Sequence, residues 1–269
     1  MNIKLYITAF GLALCVQVLP MAAGDFEDAL AAAQRGDFKT AFALWKPLAE
    51  HGVAGAQSNI GVMYENGEGV PQDYSEALNW FRKSADQGYA GAQNNLGSMY
   101  ASAHGLPQDN AEAMKWFRKA AQQGHARAQY NLGVGYLQGL GVPMDKAEGM
   151  NWLRKSAEQG LAEAQYNLGV GYRYTLGVPQ DYAEAAKWFR KSAEQGYSLA
   201  QHNLGLMYSR GQGMPKDIMQ AVVWLSIAGD GGDASANGDR NILSKQLSPA
   251  KIAQAQKLAD EWQAAHPKP

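Results

Sequence analysis

A period of 36 residues constrains this chain more than any other feature of its sequence. Near-copies of the segment from Leu161 to Gly196, LAEAQYNLGVGYRYTLGVPQDYAEAAKWFRKSAEQG, follow one another without insertion or deletion. A constant period of this length is typical of stacked supersecondary units that bury their apolar faces against their neighbours. The sequence therefore predicts one elongated solenoid whose function lies on its surface. The five copies span Val53–Gly88, Tyr89–Gly124, His125–Gly160, Leu161–Gly196 and Tyr197–Gly232.

Each copy contains two amphipathic segments, which we name helix A and helix B. In the copy that begins at Leu161, Ala164, Leu168 and Tyr172 recur at helical spacing in helix A, and Trp188 and Phe189 belong to the apolar stripe of helix B. A glycine follows the Leu or Ile of helix A in every copy, although glycine inside a helix costs about 1 kcal/mol relative to alanine. We expect this glycine to make room for the tryptophan of helix B, and the tryptophans to form an internal ladder. The positions concerned are Gly61, Gly97, Gly133, Gly169 and Gly205, with Trp80, Trp116, Trp152, Trp188 and Trp224.

A proline-containing loop joins the two helices, and its residues predict where helix B begins. An aspartate stands two residues after the proline, and Glu or Gln follows three residues later, which is the pattern of a capping box. A glycine closes each helix B and supplies the left-handed residue that ends a helix. The aspartates are Asp73, Asp109, Asp145, Asp181 and Asp217.

The residues on either side of the repeats predict capping helices. Residues 25–52 predict a divergent helix pair, in which Pro47 is expected to kink or break the second helix. Residues 233–269 predict C-terminal capping helices, the last of which begins at Ser248-Pro249. Altered end units of this kind are expected in a solenoid.

Residues 1–24 have the composition of a secretory signal peptide. Lys4 precedes an apolar run, and small residues lead up to Gly24. We expect export to the periplasm, with the extracellular space as the alternative; a retained anchor is the other interpretation of this segment. Cys15, the only cysteine, follows the bulky Leu14, which does not suit a lipoprotein signal. The mature chain would then contain no disulfide, thiol nucleophile or thiolate metal site.

Charge and hydropathy exclude other classes of protein. The formal net charge is −1, with 24 basic and 25 acidic residues interspersed, so the sequence gives no reason to expect nucleic-acid binding. After residue 24, no apolar run approaches the roughly 20 residues of a membrane-spanning helix. We therefore expect no transmembrane segment after signal cleavage, and no motif calls for a cofactor.

The repeated motifs A-x-x-x-L-G-x-x-Y and G-V-P-x-D-x-x-x-A-x-x-W-F-x-x-A-x-x-G resemble the Sel1-like repeat, a relative of the tetratricopeptide repeat. The resemblance covers Ala54 to Gly232. It implies an all-α, right-handed α-solenoid of helix-turn-helix repeats that acts as an adaptor between proteins, often in exported bacterial scaffolds. It supplies no active site. A cysteine-rich branch of the family has been credited with binding or slowly hydrolysing β-lactams, but this sequence lacks the disulfide that the branch carries in each repeat.

Motifs that carry chemistry are sparse. Ser248-Pro249-Ala250-Lys251 matches the S-x-x-K of penicillin-recognising enzymes, without the S-D-N and K-T-G that accompany it, so a helix cap is the simpler interpretation. A weak β-lactam or peptidoglycan-acting enzyme is kept as an alternative function. The five histidines lack metal-ligand spacing, and the glycine-rich loops follow helices rather than strands, so no metal or phosphate site is predicted.

The outward side of helix A is the candidate binding surface. Counting each copy from its first residue, positions 6, 7, 10, 13 and 14 point away from the apolar stripe, towards the concave side of a tetratricopeptide-type solenoid. Position 7 is always asparagine, and such an amide ladder either pairs with the backbone of an extended peptide or bonds the neighbouring repeat's backbone. Aromatic and arginine side chains at the other positions suit a protein partner, while stacking of sugars on the tyrosines makes a carbohydrate-binding envelope scaffold a further alternative. The candidate residues are Asn95, Tyr130, Asn131, Tyr166, Asn167, Arg173, Tyr174, His202, Asn203 and Arg210.

The opposite side of helix B carries an Arg-Lys pair in the first four copies and Ser226-Ile227 in the fifth. We interpret the charged pairs mainly as a solvated convex face. The uncharged fifth copy predicts the place where the terminal helices dock.

Overall fold

The computed structural model describes residues 23–266, and these form fourteen helices and no strand. Helices pack chiefly on the helices before and after them in sequence, as in a solenoid. The predicted fold class, an all-α solenoid of helix-turn-helix repeats, is confirmed. The expected signal peptide and Cys15 lie outside the described residues. The helices are α1 Ala23–Gln34, α2 Phe38–Glu50, α3 Ala54–Asn66, α4 Tyr74–Asp86, α5 Ala90–Ser102, α6 Asn110–Gln122, α7 Ala126–Gln138, α8 Lys146–Glu158, α9 Ala162–Tyr174, α10 Tyr182–Glu194, α11 Ser198–Arg210, α12 Ile218–Asp230, α13 Ala234–Ser244 and α14 Pro249–Ala265.

Aspartate caps begin the B helices, which are α4, α6, α8, α10 and α12. The Asp181 carboxylate, for example, accepts hydrogen bonds from the backbone N–H of Ala183 and Glu184 at 2.9 and 3.0 Å. The reciprocal arm of the capping box does not form, because the backbone N–H of Asp181 donates to the carbonyl of Tyr172. The Glu184 carboxylate instead accepts the indole N–H of Trp188 at 3.1 Å. The aspartate half of the predicted capping box is therefore present, whereas the glutamate bonds the tryptophan one turn later.

The glycine within helix A makes room for phenylalanine or leucine, not for tryptophan. An ideal Cβ on Gly169 would lie 2.8 Å from the ring of Phe189, and one on Gly205 would lie 2.8 Å from Leu225. The expectation that tryptophan fills this space is wrong. The phenylalanine or leucine that follows each tryptophan packs within its own repeat, and this contact sets the spacing of helices A and B.

The tryptophans pack between repeats. Trp188 joins a core cluster that contains Met150 and Leu153 of the preceding repeat. Its outer face is covered by Lys191, whose Nζ lies 4.5 Å from the ring centroid. Trp80 and Trp188 are buried, whereas Trp116, Trp152 and Trp224 are half-buried. The predicted internal ladder is thus a row of inter-repeat contacts at the edge of the core.

The Arg-Lys pairs are more than a solvated face. The lysine covers the tryptophan of its own helix, and the arginine donates to the tyrosine hydroxyl of the next repeat. In the pair formed by Arg154 and Tyr172, the two atoms are 2.9 Å apart. The same bond joins Arg82 to Tyr100, Arg118 to Tyr136 and Arg190 to Tyr208.

A ladder of buried glutamines joins successive repeats. Gln129 donates to the carbonyl of Ala121, in the preceding helix B, at 3.2 Å and accepts from Gln159 of its own repeat at 2.7 Å. Sequence reasoning missed this ladder, although glutamine stands at position 5 of every copy. Its members are Gln57, Gln93, Gln129, Gln165 and Gln201.

Two residues adopt a left-handed backbone where the other copies have glycine. Ala103 has φ 60° and Thr175 has φ 59° at the end of helix A, and the equivalent residues are Gly67, Gly139 and Gly211. A β-branched residue in this region is strained. Thr175 directly follows two candidate site residues.

The last helices cover the fifth repeat. Val222, Val223 and Ile227 of α12 form a core cluster with Ala255 and Ala259 of α14, as the loss of charge in this copy predicts. At the other end, α2 continues through Pro47 to Glu50, so the expected break is absent. Within residues 23–266, none of the helices has the length and apolar character needed to cross a membrane.

Candidate functional site

The A-helix groove is the surface formed by unit positions 6, 7, 10, 13 and 14 of α3, α5, α7, α9 and α11. The last of these positions is the most exposed of the set on each helix. Position 14 is exposed in all five copies, positions 7 and 10 are half-buried, and position 6 is buried or half-buried. The C-terminal ends of the A helices are therefore the accessible part of the groove.

Position 6 contacts the following repeat. The Asn94 amide accepts from Asn131 at 3.1 Å, and the ring centroid of Tyr166 lies 5.2 Å from that of Tyr197. Burial raises the pKa of the Tyr166 phenol, and its neighbour Tyr174 acts in the same direction, while Arg173 and a hydrogen bond with Asn203 act in the opposite one. These side chains line the groove and also hold adjacent A helices together.

The position 7 asparagines bond to side chains of the groove rather than to the backbone of the neighbouring repeat. Asn131 donates to Asn94, and Asn203 accepts from Arg173 at 2.6 Å while donating to the carbonyl of Leu199 in its own helix. The glutamine ladder makes the backbone bonds that were one interpretation of the asparagines. Asn95 accepts from Asn94 at 3.3 Å. Asn167 is half-buried on α9.

A cavity of about 340 Å³ opens in the groove between α5 and α7, above α6. Tyr130, Asn131 and Ser98 contribute polar groups to its wall, and Met114 and Val134 contribute apolar surface. This mixture of an apolar lining and a few polar groups is typical of sites that bind side chains or small ligands.

Arg173, Tyr174 and Asn203 form the second cluster of candidate residues. Arg173 is 5 % exposed, its guanidinium carbon lies 5.1 Å from the ring centroid of Tyr174, and Tyr174 itself is 57 % exposed. The structure therefore brings together an accessible aromatic ring and a buried cation. Arg210, the last residue of α11, is exposed.

His202 is held between two carboxylates. Its Nδ1 lies 2.8 Å from Asp233 and its Nε2 lies 2.8 Å from Asp239. Each ring nitrogen of His202 thus has its own carboxylate partner in the unit that follows repeat 5. His202 therefore ties α11 to α13.

Sequence reasoning missed Asp233 and Asp239. They stand 36 residues after Tyr197 and Asn203, so continuing the repeat phase into α13 would have identified them.

Ser248, the first residue of the S-x-x-K match, lies outside the groove. Ser248 caps α14, accepting the backbone N–H of Lys251 at 3.4 Å, as its simpler interpretation predicts. The described part of the chain contains no group of three or more His, Cys, Asp or Glu side chains arranged to hold a metal ion.

The repeats match a known family. The model of the Sel1 repeat matches residues 54–89, 90–125, 126–161, 162–197 and 198–233. These matches begin one residue later than the copies defined by the sequence period. None of the curated protein sequences compared with this chain matches it.

Solved structures of other proteins share this fold. A protective antigen of uropathogenic Escherichia coli strains that displays an SLR fold is 36% identical, with a TM-score of 0.77 over 88% of this chain and 53% of the antigen, so the chain spans about half of that protein's length. A Sel1 repeat protein from Oxalobacter formigenes is 29% identical, with a TM-score of 0.76 over 88% of this chain and 97% of that one. An immunity protein from Pseudomonas aeruginosa, 23% identical, has a TM-score of 0.53 over 79% of this chain and 82% of its own, and shares the fold alone. With five matching repeats that cover more than half of its residues, the chain belongs to the Sel1 repeat family.

Proposed function

We propose that this protein is an exported, non-catalytic scaffold that binds an extended segment of a partner protein along the A-helix groove. The observation that carries the proposal is the exposed ring of Tyr174 above the buried guanidinium of Arg173, on the accessible end of α9. Tyrosine and arginine are the residues that most often dominate the energy of protein interfaces.

The cavity between α5 and α7 supports the same function. Its volume of about 340 Å³ accommodates one or two side chains, and the amides of Asn131 and the hydroxyl of Ser98 offer hydrogen bonds beside the apolar Val134. An extended segment that places side chains in this cavity would continue from one A helix to the next, across α7 and α9, towards Tyr174. The groove thus offers two anchoring points on one surface.

Site-specific photocrosslinking tests the groove. Benzoylphenylalanine at position 174 should crosslink a protein partner in the native cell, whereas the same residue at the exposed position 151 on α8 should not. Asn151 lies on a B helix, outside the groove, and serves as the matched control. Equal crosslinking from both positions, or capture of a polysaccharide instead of a protein at position 174, would contradict the proposal.

Export has a separate test, because it depends on residues 1–24. Fractionation followed by mass spectrometry of the intact protein should find a chain that begins at Gly24 or Asp25 in the periplasmic fraction. A full-length chain in the cytoplasm would exclude export while leaving the groove proposal intact.

A further inference from the structure

Arg173 carries a buried charge that lacks a counter-ion in the described structure. Its guanidinium donates one hydrogen bond, to the neutral amide oxygen of Asn203. None of the ion pairs within residues 23–266 includes Arg173, whereas Arg127 on α7 is paired with Glu163 at 2.9 Å. Arginine stays protonated in proteins, and a buried charge is costly unless it is paired.

The guanidinium still has donors to offer. Some polar side-chain atoms of the described chain are fully buried without a hydrogen-bond partner, and no nitrogen of Arg173 is among them. The N–H groups that do not bond Asn203 therefore reach solvent through the small exposed part of the side chain. Arg173 thus combines a desolvated charge with accessible donors in the groove. A carboxylate matches both properties, because its two oxygens accept from the guanidinium fork in parallel.

The nearby acidic groups are already engaged. Asp233 lies 2.8 Å from Nδ1 of His202, and its carboxylate accepts from the backbone N–H of Ser235 and Ala236. Asp239 lies 2.8 Å from Nε2 of His202. Neither carboxylate forms an ion pair with Arg173, and none of the other described acidic side chains does so.

From this we infer that Arg173 is the anchor for a carboxylate of the bound peptide, with Tyr174 packing against the residue that bears it. The inference rests on the proposed function and adds the chemistry of the partner. Either a C-terminal carboxylate or an Asp or Glu side chain supplies the group. Glu65, at the same unit position on α3 three repeats earlier, is half-buried and lies 3.9 Å from Nδ1 of His104.

The first test addresses Arg173 directly and needs no peptide partner. In the ¹⁵N-labelled full chain, the Arg173 Nε–H resonance, identified by its loss in Arg173→Lys, should shift progressively on titration with N-acetylglycine. The neutral analogue N-acetylglycinamide should leave it unchanged. The resonance of Arg82, an exposed arginine bonded to Tyr100, is the internal control. An unshifted Arg173 signal, or equal shifts with both compounds, would overturn the inference.

The second test separates the two carboxylate sources and the two proposals. A peptide array in which every sequence appears with a free or amidated C terminus, and with Glu or Gln at a central position, is probed with the wild type and with Arg173→Leu. Leucine is native at the same unit position in repeat 3, as Leu137, so this variant should fold, which a thermal melt checks. Carboxylate-bearing peptides should bind at least tenfold better than their neutral counterparts, and Arg173→Leu should abolish that preference. Binding that ignores charge would refute the inference while the proposed function stands. A shifted resonance with no peptide bound would refute the proposed function while Arg173 stands as a carboxylate site.

Discussion

Met114 of α6 occupies the space that a side chain at residue 135 of α7 would need. An ideal Cβ on Gly135 would overlap the Met114 sulfur. Met150 stands in the same relation to Gly171 one repeat later. In the next interface the sizes are exchanged, because the small residue Ala186 in α10 shares a core cluster with Met207 in α11. Each of these three interfaces therefore contains one methionine. It belongs to helix B at the first two interfaces and to helix A at the third.

This exchange predicts a compensating double substitution. Gly135→Met should destabilise the chain, because it places two methionines in a space packed for one, and overpacking costs about 1–3 kcal/mol. Met114→Ala should also destabilise it, because truncating a buried methionine to alanine leaves a cavity and costs about 2–5 kcal/mol of stability. The double variant copies the Ala186–Met207 pair and should recover most of the loss. Urea denaturation of all four proteins measures the coupling, and additive losses would show that the two sites do not share this space.

The glutamine ladder predicts a large effect from a nearly isosteric change. Gln129→Leu should lower the stability by about 1–3 kcal/mol, because the carbonyl of Ala121 and the amide of Gln159 both lose a buried partner. Gln122→Leu, at an exposed position on α6, is the matched control and should change little. Hydrogen exchange should accelerate first at the junction of α6 and α7. Equal behaviour of the two variants would show that the ladder does not contribute to stability.

Thr175 predicts a substitution that stabilises the chain. Thr175→Gly should relieve a left-handed, β-branched residue, whose strain of about 1–3 kcal/mol exceeds the entropy that glycine adds to the unfolded chain. Gly139→Thr, the reciprocal change in repeat 3, should lower the thermal midpoint. If Thr175→Gly weakens partner binding while raising that midpoint, the strain serves to position Arg173 and Tyr174. A lower midpoint for Thr175→Gly would contradict the prediction.

His125 predicts a pH dependence with a definite sign. Burial, followed by the charge of Arg127, lowers the pKa of His125 from its usual 6.5, and the ring nitrogen accepts the backbone N–H of Ala128 at 3.2 Å. The unfolded chain therefore binds the proton more readily, so this histidine stabilises the fold above about pH 6.5 and its contribution is lost as the pH falls below that value. His125→Tyr, which copies Tyr89 and Tyr197, should lose less thermal stability than the wild type between about pH 8 and about pH 5. Parallel pH profiles of the two proteins would contradict this account.

The sequence predicts the parts of this fold that depend on local patterns. Apolar spacing, the caps such as Asp181 and the closing glycines each act within a few residues, so they locate the helices. The partner of Gly169 could not be deduced in the same way, because Trp188 and Phe189 are adjacent and one step of 100° decides which of them faces helix A. The ladder could not be deduced either, because the partners of the glutamine at position 5 lie in other helices and no local pattern identifies them.

The candidate site follows the same division. The sequence proposes the positions that vary between copies as the binding surface, and this stays a prediction. What the sequence could not show is that Arg173 is buried and that His202 is bonded to Asp233 and Asp239, since those depend on contacts between residues in different units.

The direction of the glutamine ladder has a consequence for synthesis on the ribosome. Each glutamine donates to a carbonyl of the unit that was translated before it, so the last turn of the first four B helices is completed only when the next repeat has been made. During synthesis of these repeats, the most recently completed helix B consequently lacks the glutamine of the following repeat. At the C-terminal end of the repeats, α13 packs on α12 in place of a further helix A. Asn237 of α13 stands at the position of a sixth glutamine and lies against Gly229. A chain truncated between repeats would therefore leave the carbonyl at the end of its last helix B without the glutamine donor of the next repeat.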